Sequence, residues 1–194
     1  MPVNSANVFI GAPEQEVTGA LLTGPETDVI PETIDDFVFT GLAEAGYVSE
    51  EGVKISVDES TESIRDWSRR VVREITSEFG GNLEWEHLEL SEEAAKNYFG
   101  DTKVTVSGTK SRYALSGDNR ETKAWYFKMK DGQRRALVFV PHGQVTERGE
   151  IELVADDAIK LPVTLSTYPD AAGNNLYFYT DTGVIAATVP PPTP

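Results

Sequence analysis

Hydrophobic and polar residues alternate with a period of two through much of residues 52–90, a pattern typical of β-strands with two different faces. The odd positions carry the apolar residues Val53, Ile55, Val57, Ile75, Phe79, Leu83 and Trp85. The even positions carry the acidic residues Asp58, Glu62, Glu74, Glu78, Glu84 and Glu86. Residues 66–68 interrupt the alternation. The segment therefore predicts two long strands joined by a turn, with an apolar face that covers a core and an open acidic face.

One helix is predicted, at residues 91–99. Ser91 is a suitable N-cap, and Glu92 and Glu93 fall in the first turn, where the helix dipole favours acids. Gly100 is placed to end the helix. A helix this short needs packing to hold it, so we expect it to lie on the flank of a sheet.

The rest of the chain predicts only strands and turns. Alternating or apolar segments predict strands at residues 103–107, 122–130, 136–140, 150–154, 159–167 and 176–179, and a polar loop at 108–119. Asp131 and Gly132 predict a hairpin turn, and Pro162 predicts an edge or bulge position because proline cannot donate to a ladder. The expected fold is mainly β: an antiparallel sandwich or barrel with one short flanking α-helix.

Proline and glycine divide the chain into three parts. Residues 1–40 contain repeated proline and glycine breaks and predict an extended N-terminal arm. Residues 41–182 hold the β-domain. Residues 183–194 end in Val-Pro-Pro-Pro-Thr-Pro, which favours an extended C-terminal tail.

The net charge of −15 indicates a protein that polyanions repel, so we expect no grip on nucleic acid through its phosphates. No stretch approaches the roughly 18 apolar residues of a membrane span, and the first twelve residues or so predict no signal peptide. We therefore expect no membrane contact.

Candidate chemistry is sparse. Glu84 and Glu86 share a strand face, as paired glycosidase carboxylates do, but a solvated strand face is favoured because no apolar pocket for them is evident. His87 and His142 lack ligand spacing, and the chain contains no cysteine. The sequence thus predicts no catalytic, cofactor or metal site, and no enzyme.

The order of these segments resembles a known family. Residues 41–56 (GLAEAGYVSEEGVKIS) resemble the start of the core domain in major tail tube proteins of bacteriophages with long, non-contractile, siphovirus-like tails, especially actinobacteriophages. An acidic strand with a tryptophan at residues 58–67, a return strand at 71–75 and the helix at 91–99 follow in the family's order.

That resemblance implies hexameric rings that stack into a tube, with strands of six subunits joined in one continuous barrel around a DNA channel. The residues expected to face the lumen are Asp58, Glu62, Glu74, Glu78, Glu84 and Glu86. DNA is expected to pass during ejection without specific binding. The implied partners are further copies of the chain, the tape measure protein, the tail terminator and the baseplate or distal tail proteins. The implied location is the virion, after assembly in the host cytoplasm.

Two other functions remain open from the sequence. One is another ring-forming tail component, either a tail terminator or a type VI-like tube. The other is a monomeric carbohydrate-binding β-sandwich, which requires an exposed aromatic cluster. The candidate aromatics for that cluster are Trp125, Tyr126, Tyr177 and Tyr179.

Overall fold

The computed structural model describes residues 8–14 and 20–183, except the side chains at 76–78. The strands are β1 (Leu21–Pro25), β2 (Ala43–Glu44), β3 (Lys54–Arg65), β4 (Val71–His87), β5 (Val104–Ser107), β6 (Lys110–Tyr113), β7 (Lys123–Asp131), β8 (Arg134–Arg148), β9 (Leu161–Tyr168) and β10 (Tyr177–Asp181). The helix α1 spans Glu92–Phe99, and 3-10 turns occupy Ile34–Asp36 and Asp101–Lys103. Within the described ranges, no helix is long and apolar enough to cross a membrane.

The strands pair antiparallel throughout. The main sheet has the order β2-β1-β7-β8-β9-β4-β3, and β10 also pairs with β8. A small hairpin of β5 and β6 stands apart from it. The turn predicted at Asp131 and Gly132 joins β7 to β8, and Gly132 has the positive φ of 64° that such a turn requires. The predicted antiparallel β fold with one short flanking helix is confirmed.

The helix begins and ends at the predicted residues. The Ser91 hydroxyl accepts a hydrogen bond from the Ala94 N–H at 3.3 Å, and the Gly100 N–H donates to the Lys96 carbonyl at 2.8 Å. Ala94 and Tyr98 are buried on the side of α1 that faces the sheet. The Tyr98 hydroxyl donates to the Gly149 carbonyl at 2.7 Å, so α1 is fixed to the end of β8.

Two hydrophobic cores lie on opposite faces of the main sheet. The first is covered by α1 and is built from β1, β4, β7, β8 and β9; its largest members are Trp85, Trp125, Phe127, Leu161 and Leu165. The second, on the other face of β1, β7 and β8, contains Tyr126 and Phe139 and is covered by apolar residues of 30–42 and by Tyr177 and Tyr179. The residues that cover the second core do not extend over β4 and β9, and the side chains of these strands on that side of the sheet are mainly polar.

Four sequence predictions differ from the structure. Residues 21–25, expected in an arm, form β1 and pair with β7. The loop predicted at 108–119 contains β6. Residues 150–154 form no strand: the Gly149 N–H donates to the Pro162 carbonyl at the end of β8, and the chain then forms a loop that leads to β9. Pro162 was expected at an edge or bulge but lies in the interior strand β9. It is placed at the end of the pairing between β9 and β8, where the missing N–H removes no interior hydrogen bond of the ladder.

Candidate functional site

The candidate site is the projecting hairpin, defined as β3, β4 and the turn at residues 66–70. The pairing of β4 with β9 covers only residues 81–87. Beyond that root, β3 and β4 pair with each other alone, and all twelve residues of β3 are exposed. Among the described residues, no strand pairs with the outer edge of β3. The longest element of the fold therefore projects beyond the rest of the main sheet.

The apolar face of the projecting hairpin is largely bare. Leu83 and Trp85 are buried at the root, as predicted, but Ile55, Val57 and Phe79 are 43%, 58% and 59% exposed. The prediction that this whole face covers a core is wrong for the single chain, because α1 reaches only the root. Fully burying side chains of this kind stabilises by about 1.5–3 kcal/mol each, so the face favours a partner.

A β-bulge changes which acidic residues share a face. Ser60 pairs with Glu78 and Thr61 with Thr76, so β4 carries one extra residue at this point. Beyond the bulge, Glu74 pairs with Ser63, whereas Ile75 pairs with Glu62. Directly opposed residues share a face, so Glu74 lies on the face opposite Glu62. The prediction that all the even positions share one face is wrong beyond the bulge.

Four of the six predicted residues, Asp58, Glu62, Glu84 and Glu86, lie on one face, and the backbone register places Glu78 with them although its side chain is outside the described part. This face, together with its continuation onto β9 and the adjoining end of β8, is called the channel-candidate face. Lys54 lies opposite Glu84, and Lys160 lies 4.0 Å from Glu86, so the face is acidic but not purely so.

A chain of side-chain hydrogen bonds crosses four strands on the channel-candidate face. The Thr146 and Ser166 hydroxyls lie 2.7 Å apart, and the Ser166 hydroxyl donates to the Asn82 Oδ1 atom at 3.0 Å. The Asn82 Nδ2 atom then donates to Asp58 at 2.8 Å. This polar ladder links β8 to β3 across the face.

The turn of the hairpin is well defined. Asp66 accepts hydrogen bonds from the Ser68 hydroxyl at 2.7 Å and the Arg70 N–H at 2.9 Å, and these donors lower the pKa of its carboxyl group. Arg69 adopts a positive φ of 64° to close the turn. Trp67 is fully exposed at the tip, beside four arginines at 65, 69, 70 and 73.

At the root of the hairpin, the structure contains an apolar pocket that the sequence patterns did not reveal. Its volume is about 600 Å³, and its walls include Tyr47, Val53, Leu83, Phe127 and Val138. The pocket is the open end of the first core, where β3 begins. Alternation identified Val53 and Leu83 as core-facing, but gave no sign that the core is open between them.

A buried histidine fixes the loop beside this pocket. The Trp85 Nε1–H donates to the His87 Nε2 atom at 3.0 Å, so the imidazole proton is on Nδ1, which lies 3.2 Å from the Ala45 carbonyl. Burial lowers the pKa of His87 to about 4, although the hydrogen bond to Ala45 opposes the shift. The neutral ring therefore joins residues 43–49 to β4.

The aromatic residues proposed for carbohydrate binding do not form an exposed platform. Trp125 and Tyr126 are buried in opposite cores. Tyr177 and Tyr179 pack against the second core, and the Tyr179 hydroxyl donates to the Pro31 carbonyl at 2.7 Å. Among the described residues, no group of histidine, aspartate and glutamate side chains fits a metal ion. The fold and its hairpin thus define a class: an antiparallel β-sheet protein whose longest element extends outside its own core.

Comparison with known proteins agrees with this class. The family model described as "Phage tail tube protein" matches residues 1–189, so the chain belongs to this family of structural tail proteins of the virion. Comparison with curated proteins gave no match. Among solved structures, the anti-feeding prophage cap (AFP tube terminating cap), seen by cryo-EM, is similar with TM-score 0.44 and 10% identity, over 91% of this chain and 98% of that one. The predicted family is confirmed; the actinobacteriophage type stays a prediction.

Proposed function

We propose that the chain assembles into hexameric rings, that the rings stack into the phage tail tube, and that the tube conducts DNA during ejection. The observation that carries the proposal is the projecting hairpin, which exposes a long strand edge and a bare apolar face. Both features are costly for a subunit that acts alone, and both are removed when copies associate.

The outer edge of β3 is the natural place for a neighbouring copy to pair. An unpaired strand of twelve residues exposes a row of backbone donors and acceptors. Pairing of such edges around a ring leaves no free edge, because the sheets of all copies then form one closed barrel. The same neighbour would cover the apolar side chains at Val57 and Phe79.

The channel-candidate face is then directed toward the lumen. Asp58, Glu62, Glu84 and Glu86 give each subunit a negative wall, and six subunits repeat it around the channel. Phosphate binding depends on Lys and Arg contacts that release counterions, so a wall dominated by carboxylates should bind DNA weakly. The tape measure protein, tail terminator and baseplate or distal tail proteins are the expected partners of such a tube. The part of the arm before β1, the loop at 41–51 and the loop at 108–120 are proposed to contribute contacts between subunits and rings.

The first test is negative-stain electron microscopy of the purified protein over a concentration series. Stacked rings with a central hole and sixfold symmetry are the expected result. Single capped rings that never stack would favour a tail terminator instead. A strictly monomeric protein at every concentration, also in the presence of the other tail proteins, would contradict the proposal.

The orientation of the channel-candidate face is tested by cysteine labelling, because the chain has no cysteine of its own. Glu84→Cys places a thiol on that face, and Glu92→Cys places a matched thiol on the exposed side of α1, across the sheet. In assembled tubes, a small maleimide should label both variants, whereas a maleimide on a long polymer should label only Glu92→Cys. Equal labelling of both variants by the polymer reagent would show that the face is external.

A further inference from the structure

The tip of the projecting hairpin differs in charge from the rest of the molecule. Residues 65–73 contain four arginines and a single acid, Asp66, in a chain whose net charge is −15. Trp67, at the centre of this basic tip, has 103% of its reference surface exposed. A fully exposed indole surrounded by guanidinium groups is an expensive surface in water, and it is suited to an apolar pocket with an acidic rim.

The root of the hairpin provides such a pocket. The pocket of about 600 Å³ between Tyr47, Val53 and Phe127 is within the range of roughly 300–1,000 Å³ that accommodates ligand groups. On the side formed by the loop at 43–52, the lining includes Glu50 and no basic residue; Lys128 also lines the pocket, but its ammonium group lies over the Phe39 ring, 5.2 Å from the centroid. Glu50 is therefore the acid whose charge complements the basic tip.

The basic tip cannot reach the root pocket of its own chain. The strand β3 has twelve residues, and at about 3.3 Å per residue it separates the tip from the root by about 40 Å. The pocket is lined by Ile55, at the root end of that same strand, and by Val53, just before the strand begins. Any Trp67 that enters this pocket must therefore come from a second copy.

We propose that Trp67 of one copy inserts into the root pocket of a copy in the next ring, with a tip arginine paired to Glu50. The inference rests on the proposed tube and adds the contact that stacks its rings. Tip and root are different surfaces at opposite ends of one hairpin, so the contact is head-to-tail and repeats without closing on itself. The basic tip, unlike the channel-candidate face, thus serves assembly.

Tryptophan fluorescence provides a direct test. The chain has three tryptophans, and Trp85 and Trp125 are already buried. Emission of the wild-type protein should shift to the blue on assembly, because only Trp67 changes from water to an apolar pocket. Trp67→Phe removes the reporter and should assemble without that shift. A wild-type protein that forms tubes with no blue shift would overturn the inference.

Electron microscopy of variants separates this inference from the proposed function. Trp67→Ala should form rings that stack at least tenfold less well than wild type. The melting temperature of the subunit should be unchanged, because the Trp67 side chain is fully exposed and buries no surface in its own chain. Glu50→Lys, at the pocket rim, should weaken stacking in the same way, whereas Glu92→Lys on α1 should not. Normal tubes from both Trp67→Ala and Glu50→Lys would refute the tip-to-root contact and leave the tube intact as a function. A wild-type protein that forms neither rings nor tubes would refute the proposed function itself.

Discussion

Lowering the pH from about 7 to 4 should destabilise the isolated subunit through His87. The ring is completely buried at the root of the hairpin and accepts a hydrogen bond from Trp85. Protonation would place a second N–H against the Trp85 N–H, which is a donor only, and would put a charge in the core. For these reasons the pKa of His87 falls to about 4.

The size of the effect follows from the two pKa values. In the unfolded chain, His87 titrates near its ordinary value of 6.5, and in the folded chain it titrates near 4. Between these values the unfolded state binds more protons, so the free energy of unfolding falls as the pH falls. At about 1.4 kcal/mol for each pH unit, the total loss is about 3 kcal/mol.

Other titrating groups also contribute, and Glu51, whose pKa the hydrogen bond and charge of Lys54 lower from 4.5, begins to lose its stabilisation at the acid end of this window. His142 is partly buried, which lowers its pKa, but hydrogen bonds to Asp28 and Glu26 raise the pKa overall. Its stabilisation is therefore complete below pH 6.5 and is lost as the pH rises through the raised value. The pKa of Asp170 is lowered by the Tyr177 hydroxyl, so its stabilisation is lost only as the pH falls from 3.8 toward its lowered value.

The assay is urea unfolding of dilute, unassembled protein, followed by circular dichroism at several pH values. Wild type should lose about 3 kcal/mol of unfolding free energy between pH 6.5 and 4, whereas His87→Gln should lose much less because the amide does not titrate. His142→Gln should retain the wild-type loss. A wild-type loss below about 1 kcal/mol, or the same loss in His87→Gln, would refute the reasoning.

Three further predictions address assembly and packing. Phe79→Asp should abolish rings in electron micrographs and leave the melting temperature of the monomer unchanged, because this side chain is more than half exposed. Tyr98→Phe should cost about 0.5–1.5 kcal/mol in urea unfolding, because it removes the hydrogen bond to the Gly149 carbonyl; no loss would show that this bond does not hold α1. Deletion of residues 1–7, which belong to the proposed contact arm, should lower tube yield in electron micrographs; full tube yield would remove this segment from assembly.

Local chemistry made several elements predictable from the sequence. Ser91 and Gly100 defined both ends of α1, because capping depends on residues within one turn. The two long strands and the turn at 66–68 followed from alternation, and their observed bounds, Lys54–Arg65 and Val71–His87, differ little from those predicted. These features depend on neighbouring residues alone.

Features that depend on distant contacts were not predictable. Alternation assigned Ile55 and Phe79 to an apolar face correctly, but it does not say whether the chain itself covers that face. The bulge opposite Ser60 and Thr61 exchanges the faces of the odd and even residues of β4 beyond that point. Nothing in the local sequence pattern indicates the position of this one extra residue. Gly24 and Pro25 read as breaks, yet they end a strand, because pairing with Ala124 and Lys123 outweighs their low strand preference.

The hydrogen bonds of the polar ladder all run in one direction, and this limits the donors that the face offers to a passing phosphate group. Because the Ser166 hydroxyl hydrogen is committed to Asn82, the Thr146 hydroxyl must donate to Ser166, and the three hydrogen bonds of the row all run toward the carboxylate of Asp58. Phosphate oxygens only accept hydrogen bonds, so the hydroxyl hydrogens of Thr146 and Ser166 are not available to them. On the proposed channel wall, these two hydroxyl groups would therefore bind passing DNA weakly.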